Sequence, residues 1–412
     1  MDGFALVERI RAQFPALRRE VAGRPAAFFD APAGSQVPQP VIDAVADYLA
    51  FRNANTHGHF ATSRETDELL ECARDRMAAL LGASSASEIA FGANMTTLTL
   101  ALARALAREW GPGDEVIVTE LDHQANVAPW RLAAGDAGAT VHSVPFDVET
   151  GQLDVECLAG LLGPRTRLVA VGYASNALGT INDVRRVADL ARAAGALSFV
   201  DAVHYAPHGV IDVREIGCDL LACSAYKFFG PHLGVLWGRP EVLEAHRPYK
   251  VPPASDRAPE RWETGTLNHE GIAGGAAAVE WIASLARGAD GQGWRRRVVE
   301  GMRVIGELED ALFRELWAGL KAIPGVRVHG PDLDAPRTPT VALTVGSRTP
   351  QEVAERLGAE GIFVWDGDFY ASSVIDRLGL RESGGVVRVG LAPYNSRTEV
   401  EHLLGALEHL AR

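Results

Sequence analysis

Between residues 88 and 237 the chain alternates short apolar runs with amphipathic stretches, and two of those runs end in reactive side chains. Ala196-Leu-Ser-Phe-Val200 leads into Asp201, with His204 close behind. Asp219-Leu-Leu-Ala-Cys223 leads into Ser224-Ala-Tyr-Lys227 and the turn Gly230-Pro231. Short apolar runs bounded by turn signals fit strands buried on both faces. Strands alternating with helices predict an α/β domain with a mainly parallel sheet. Ligands of such sheets sit beyond the carboxyl ends of the strands. An acid and an amine are therefore expected at one mouth of one sheet.

That pair suits one chemistry. A Lys amine forms a Schiff base with the aldehyde of pyridoxal phosphate (PLP). An Asp carboxylate keeps the pyridine nitrogen protonated, so that the ring draws electrons from a substrate α-carbon. A structural ion pair between neighbouring strand ends is the alternative reading of this stretch alone.

Other features narrow the function class. A chain of 412 residues exceeds one small domain and points to two unequal ones. A net charge of −13 with no long Lys/Arg run argues against nucleic acid or an anionic membrane as partner. The four cysteines, Cys72, Cys157, Cys218 and Cys223, form no CxxC and fit a reducing cytoplasm. Cys72 and Cys157 lie in helical patterns; Cys218 and Cys223 read as small core residues. No apolar run approaches the ~20 residues of a membrane span. No metal is expected: His57 and His59 lack a ligand set, and Pro207 breaks the helix that His204 and His208 would need.

Further strands are expected at 88–91, 115–118, 139–144 and 167–171. Gly92-Ala-Asn-Met-Thr-Thr97 follows the first and opens a helix. Its N–H groups and hydroxyls suit a phosphate, although hydroxyls at a helix start also serve as caps. His123 lies just past the second strand, where a ring can stack on a flat cofactor. Asn176 follows the fourth. Phe4, Val7, Ile10 and Phe14 fall at helical spacing and predict a short packed N-terminal helix. The spacing also predicts a helix over 41–51, and a capping box of Thr62 and Glu65 opens another that Gly82 stops. The polar loop 52–63, with Asn55 and His57, is either solvated or lines a substrate entrance. A Pro-rich loop, 248–266, ends in Glu263-Thr-Gly-Thr266. Two long helices follow His269. A second unit then has strands near 326–328, 340–345, 361–365 and 386–390 and a last helix over 398–410. The expected division is 23–275 for a large cofactor-binding domain, with 1–22 and 276–412 forming a smaller α+β domain.

Taken together, Asn94-Met-Thr96, His123-Gln-Ala-Asn126, Ser175-Asn176, Asp201-Ala-Val-His204, Ser224-Ala-Tyr-Lys227, Glu263-Thr-Gly-Thr266 and Arg388 resemble fold-type I PLP enzymes of the class V aminotransferase group. Cysteine desulfurases and their homologues are the nearest match, over almost the whole chain. The resemblance implies that Lys227 carries PLP, Asp201 pairs with its pyridine nitrogen and His123 stacks on the ring. It places Asn94, the Met95 backbone, Thr96, Ser224 and Tyr226 around the phosphate. Thr266 would reach the phosphate of a second subunit, which implies a homodimer. Asn176 and Arg388 would grip a substrate carboxylate. If loop 52–63 lines the entrance, Asn55 and His57 are the substrate-binding candidates it offers. His204 stands where the group commonly has Gln.

One departure matters. Desulfurases of this type carry a nucleophilic Cys on a loop, with an Arg shortly before it. Here Tyr370 and Trp365 hold those positions. A phenol cannot hold sulfur as a persulfide. The expectation is a PLP enzyme acting on an amino acid at Cβ, as a C–S lyase or by desulfurase-type elimination. His123, His204 or Tyr370 would protonate the leaving group. An aminotransferase, an epimerase, or a PLP-bound homologue with a binding or regulatory role are the alternatives.

Overall fold

The structure is a computed structural model that describes residues 3–288 and 291–412. Its largest sheet has seven strands: β2 (Ile89–Gly92), β3 (Glu115–Thr119), β4 (Thr140–Val144), β5 (Thr166–Gly172), β6 (Leu197–Asp201), β7 (Leu220–Ser224) and β8 (Gly234–Gly238), after the short β1 (Ala27–Phe28). They lie in the order β2-β8-β7-β6-β5-β3-β4. From β7 to β4 all neighbours are parallel. Only β8 runs antiparallel, to both β7 and β2. The cause is the short link between Ser224 and Gly234, since a parallel crossover needs a dozen residues or more.

Side chains alternate across this sheet with period two. Ile117, Val169, Val171, Val200, Leu221 and Val235 enter one core. Val116, Val118, Leu168, Ala170, Phe199, Leu220 and Leu236 enter the other. Helices cover both faces, so each strand reads as continuously apolar. Each buried Val, Leu or Phe contributes about 1.5–3 kcal/mol. The N-terminal helix Gly3–Arg11 docks Ile10 into the first core, and Phe14 meets Phe229, Trp281 and Tyr394 edge-on or tilted.

A second, antiparallel sheet combines β9 (Val326–His329), β10 (Thr340–Val345), β12 (Trp365–Gly367) and β13 (Val386–Gly390), in the order β9-β10-β13-β12. The intervening β11 (Ile362–Phe363) pairs with β1 instead. The single strand expected over 361–365 is thus split at Val364: one half forms a separate two-stranded sheet with β1, and the other joins the antiparallel sheet. Phe313, Leu316, Leu320, Val341, Leu343, Val387, Val389, Leu403 and Leu407 form the core of this second layer.

Two local expectations need correction. The helix Ala61–Leu81 begins after Phe60, with no side-chain cap. Thr62 lies inside it, and Ser63 is the residue that holds the preceding loop, bonding Asn55 O at 2.6 Å and the Gly58 N–H at 2.7 Å. The helix expected over 41–51 is α only from Gln39 to Asp47 and widens to a π turn over Tyr48–Arg52. There the Tyr48 hydroxyl is drawn inward to Thr66 and His269, both at 3.1 Å.

Candidate active site

Asp201 ends β6, and Lys227 ends the short turn Ala225–Lys227 that follows β7. The two strands are neighbours, with Asp201 paired to Ala222. Both side chains are buried. The Lys227 amine donates to Pro32 O. Burial, and then the charge of Arg388, push that amine down to about 7, against the pull of Asp201. Burial pushes the Asp201 carboxyl up to about 6, opposed by the Val203 N–H at 2.9 Å and by Lys227. Each group senses the other, so the acid and the amine converge as the strand ends require.

Beside them lies the N-terminus of the helix Met95–Leu106. Asn94 caps it, its Oδ1 accepting the Thr97 N–H at 2.9 Å. The Met95 N–H donates to Ser224 Oγ at 3.0 Å, which ties this terminus to the end of β7. Gly234 allows the close fit, because a Cβ there would stand 2.6 Å from the Asn94 carbonyl carbon. Thr96 is exposed at the same terminus, and Tyr226 stacks on His232 with ring centres 5.1 Å apart. The cap engages Asn94 through Oδ1 alone and leaves its Nδ2 donors uncommitted. Thr266 is exposed. Glu263, just before it, is anchored by a buried two-pronged pair with Arg74 at 2.7 and 3.1 Å and accepts the Phe91 N–H.

Two imidazoles line the space between. His123 Nδ1 accepts the Ala125 N–H at 2.9 Å, which leaves the proton on Nε2. Burial, Lys227 and Arg388 push its acid form down to about 4, so the ring is neutral. His204 is buried with Nε2 at 3.2 Å from the Thr338 hydroxyl and 3.1 Å from that of Thr340. Its Nδ1 has no partner. Burial, with His208, Lys227 and Arg388 nearby, keeps this ring neutral as well. His208 does not share a ligand point with it, since its Nδ1 is committed to Glu309 at 2.8 Å.

Arg388, on β13, closes the far side. It is buried; one Nη donates to Asn176 O at 2.9 Å, and Nε has no partner. The Phe369 ring lies 4.0 Å from its central carbon. Asn176 Nδ2 donates to Phe369 O at 3.0 Å and leaves Oδ1 unpartnered. The second Nδ2 hydrogen of Asn176 and the Nε of Arg388 are donors on this side of the site that these bonds leave uncommitted. Tyr370 is at the rim, its ring centre 5.5 Å from that of His123. Asn55 and His57 stand apart: their contacts run to Ser63 and Asp67, and His57 is exposed.

Among the described residues, His204 Nδ1, Asn176 Oδ1 and Arg388 Nε are buried polar atoms left without partners. Each such atom costs about 1–3 kcal/mol unless a ligand meets it. A flat, polar-edged ring with a phosphate fits these groups: Lys227 for its aldehyde, Asp201 for its nitrogen, His204 at its edge, His123 at its face. Ser224 and the helix N-terminus suit the phosphate. The sequence reading missed Pro32, Thr338, Thr340 and Phe369. Pro32 acts through a carbonyl and Thr338 through a short hydroxyl in irregular segments, which leave no periodic signal; Thr340 opens the strand expected over 340–345, whose pattern marks the strand but not the hydroxyl's bond. Phe369 was findable as the neighbour of Tyr370.

Known proteins resemble this chain over most of its length. The aminotransferase class-V family matches residues 27–403. A cysteine desulfurase of Pectobacterium carotovorum is 32% identical and one of Klebsiella pneumoniae 34%, each covering 98% of both chains. Among solved structures, a cysteine desulfurase from Escherichia coli superposes with a TM-score of 0.85 at 28% identity, and one from Thermococcus onnurineus with 0.88 at 29%, again over 98% of both chains. The protein belongs to the aminotransferase class-V family and is a PLP-dependent enzyme of fold type I.

Proposed function

We propose that this chain is a cysteine desulfurase-like enzyme that breaks a bond to sulfur at Cβ of an amino acid by elimination, not by thiolate attack. One observation carries the proposal: Lys227, Asp201 and Arg388 are assembled in one site, yet the loop facing them ends in Tyr370 and supplies no thiol. The cysteines present do not replace it. Cys218 and Cys223 are core residues whose thiols burial pushes far up, and Cys72 and Cys157 sit on helices.

When bound, PLP supplies the electron sink for chemistry at Cα. Arg388 holds the substrate carboxylate by its fork of N–H donors. Lys227, near neutrality, takes the Cα proton and carries it. Asp201 holds a proton at the pyridine nitrogen. His204, fixed by two threonines, orients the ring edge, and His123 covers one face. Both imidazoles are neutral, which makes Lys227 a better source than either for the proton that the departing sulfur takes. Tyr370 stands at the rim on the leaving-group side.

The protein acts as a homodimer in this reading. Thr266 is exposed, Asn55 and His57 bond within their own loop region, and Leu49, Phe51 and Phe60 are exposed around that loop. The division into 23–275 and 1–22 with 276–412 is retained as the domain assignment.

The test is a product assay. The purified protein should be yellow, and borohydride should fix the coenzyme to Lys227. With cysteine or a cysteine thioether it should give pyruvate and ammonia. Alanine with sulfane sulfur, or an oxoacid with the pyridoxamine form, would overturn elimination.

A further inference from the structure

The segment from Trp365 to Tyr370 carries three aromatic side chains, and the chemistry above uses them little. Trp365 pairs directly with Arg388 across the β12–β13 ladder. Directly opposed residues put their side chains on the same face of a sheet. Trp365 is nonetheless 48% exposed, and Tyr370 71%. Phe369 lies on Arg388, and Tyr370 faces His123. The segment is pinned to the large sheet's loops. The Gln124 N–H meets Tyr370 O at 2.7 Å, Gln124 Nε2 meets Ser372 Oγ at 2.9 Å, and Asn176 holds Phe369 O. Phe369 and Tyr370 both take left-handed backbone, φ 55° and 57°, which L side chains rarely adopt. Strain and contacts together keep exposed rings fixed at the rim, where a core would have hidden them.

We infer that Trp365 and Tyr370 receive a flat group carried on the substrate's sulfur, so that the substrate is a cysteine S-conjugate with an aromatic substituent rather than free cysteine. This rests on the elimination reading. Arg388 fixes one end of the substrate and Lys227 addresses Cα, and the wall from Arg388 to His123 is the aromatic segment. Phe369 is already engaged by the guanidinium, while Trp365 and Tyr370 keep ring surface free. The step balances without oxidant or reductant. Lys227 takes the Cα proton. The Cβ–S bond breaks with its electron pair on sulfur, and the sulfur takes a proton and leaves as a thiol. The released 2-aminoacrylate reacts with water to give pyruvate and ammonia.

Calorimetry on PLP-loaded Lys227→Ala protein separates binding from turnover, with S-benzyl-L-cysteine and S-methyl-L-cysteine as probes. S-benzyl-L-cysteine should bind tighter by about three- to ten-fold for each ring that it meets, the usual worth of an aromatic pair. Trp365→Ala and Tyr370→Ala should each narrow the gap by about three-fold or more. Trp365→Phe and Tyr370→Phe should preserve most of it. Equal binding of the two probes, or a gap that neither alanine variant moves, overturns the inference. Tight benzyl binding with no thiol released by the wild-type enzyme from any S-conjugate would keep the aromatic site and overturn the elimination reading instead.

Discussion

Burial and the charge of Arg388 act in the same direction on Lys227, and Asp201 only partly offsets them. An amine attacks an aldehyde only after losing its proton, and an ordinary Lys does so near 10.4. With the amine held down to about 7, the neutral form dominates above that pH. PLP-free protein should therefore take up the coenzyme at a rate that rises through about pH 7 and then levels off, followed by absorbance. Arg388→Met removes a cause of the depression and should shift the midpoint upward; a midpoint near 10 in the wild type would show that Lys227 is solvated. His204 gives a second test at this scale. Its Nε2 is held by Thr338 and Thr340 while Nδ1 lacks a partner. His204→Gln should keep PLP affinity within about three-fold, whereas His204→Ala should weaken it by about ten-fold, since one charge-assisted hydrogen bond is worth about 1.5–3 kcal/mol. Equal affinities for the two variants would show that the ring only fills space. Lys227 and Asp201 were legible in the sequence because each ends an apolar run. The direction in which Asn176 points its amide was not, because the Phe369 carbonyl that settles it lies far along the chain.

The element that most shapes the coenzyme pocket is the pair formed by β8 and the start of the helix Met95–Leu106. Gly234 lets β8 pass against Asn94, whose backbone a Cβ would meet at 2.6 Å. Backbone cannot swing aside as a flexible side chain can. Gly234→Ala should move that helix start and weaken PLP binding by about ten-fold or more, measured by equilibrium dialysis, with little loss of secondary structure; unchanged affinity would place the phosphate elsewhere. The strand positions themselves were readable, because apolar runs buried on both faces announce themselves. The antiparallel direction of β8 follows from the short link before it, and that too is written in the chain. The split of 361–365 between two sheets was not readable. Ile362 and Phe363 pair with Ala27 and Phe28, a partnership that no local pattern encodes.

At the scale of the whole molecule, the two sheets meet at the site. Lys227 and Asp201 come from the parallel one and Arg388 from the antiparallel one. The cation and the Lys227–Asp201 pair thus come from different sheets. Three residues expected at the site make no contact with Lys227 among the described bonds: Thr266 is exposed, and Asn55 and His57 bond within their own loop region. Sequence order could pair their motifs with the rest but could not say whether they serve the same site. Around them Phe51 is 74% exposed and Phe60 57%. Side chains of that size clustered on a surface mark an interaction face. If a second copy covers them, Thr266 of one chain completes the site that holds Lys227 of the other. Mixing then provides the test. Lys227→Ala chains have no amine, and Thr266→Val chains lack the hydroxyl. In a mixed pair, one site draws its lysine and its threonine from the two intact halves and should bind PLP as the wild type does, while the other is doubly defective. If Thr266 serves its own chain, both sites of the mixed pair stay impaired and mixing gains nothing. Coenzyme bound per pair after co-refolding separates the two outcomes, and sedimentation of each variant alone shows whether the pair forms at all.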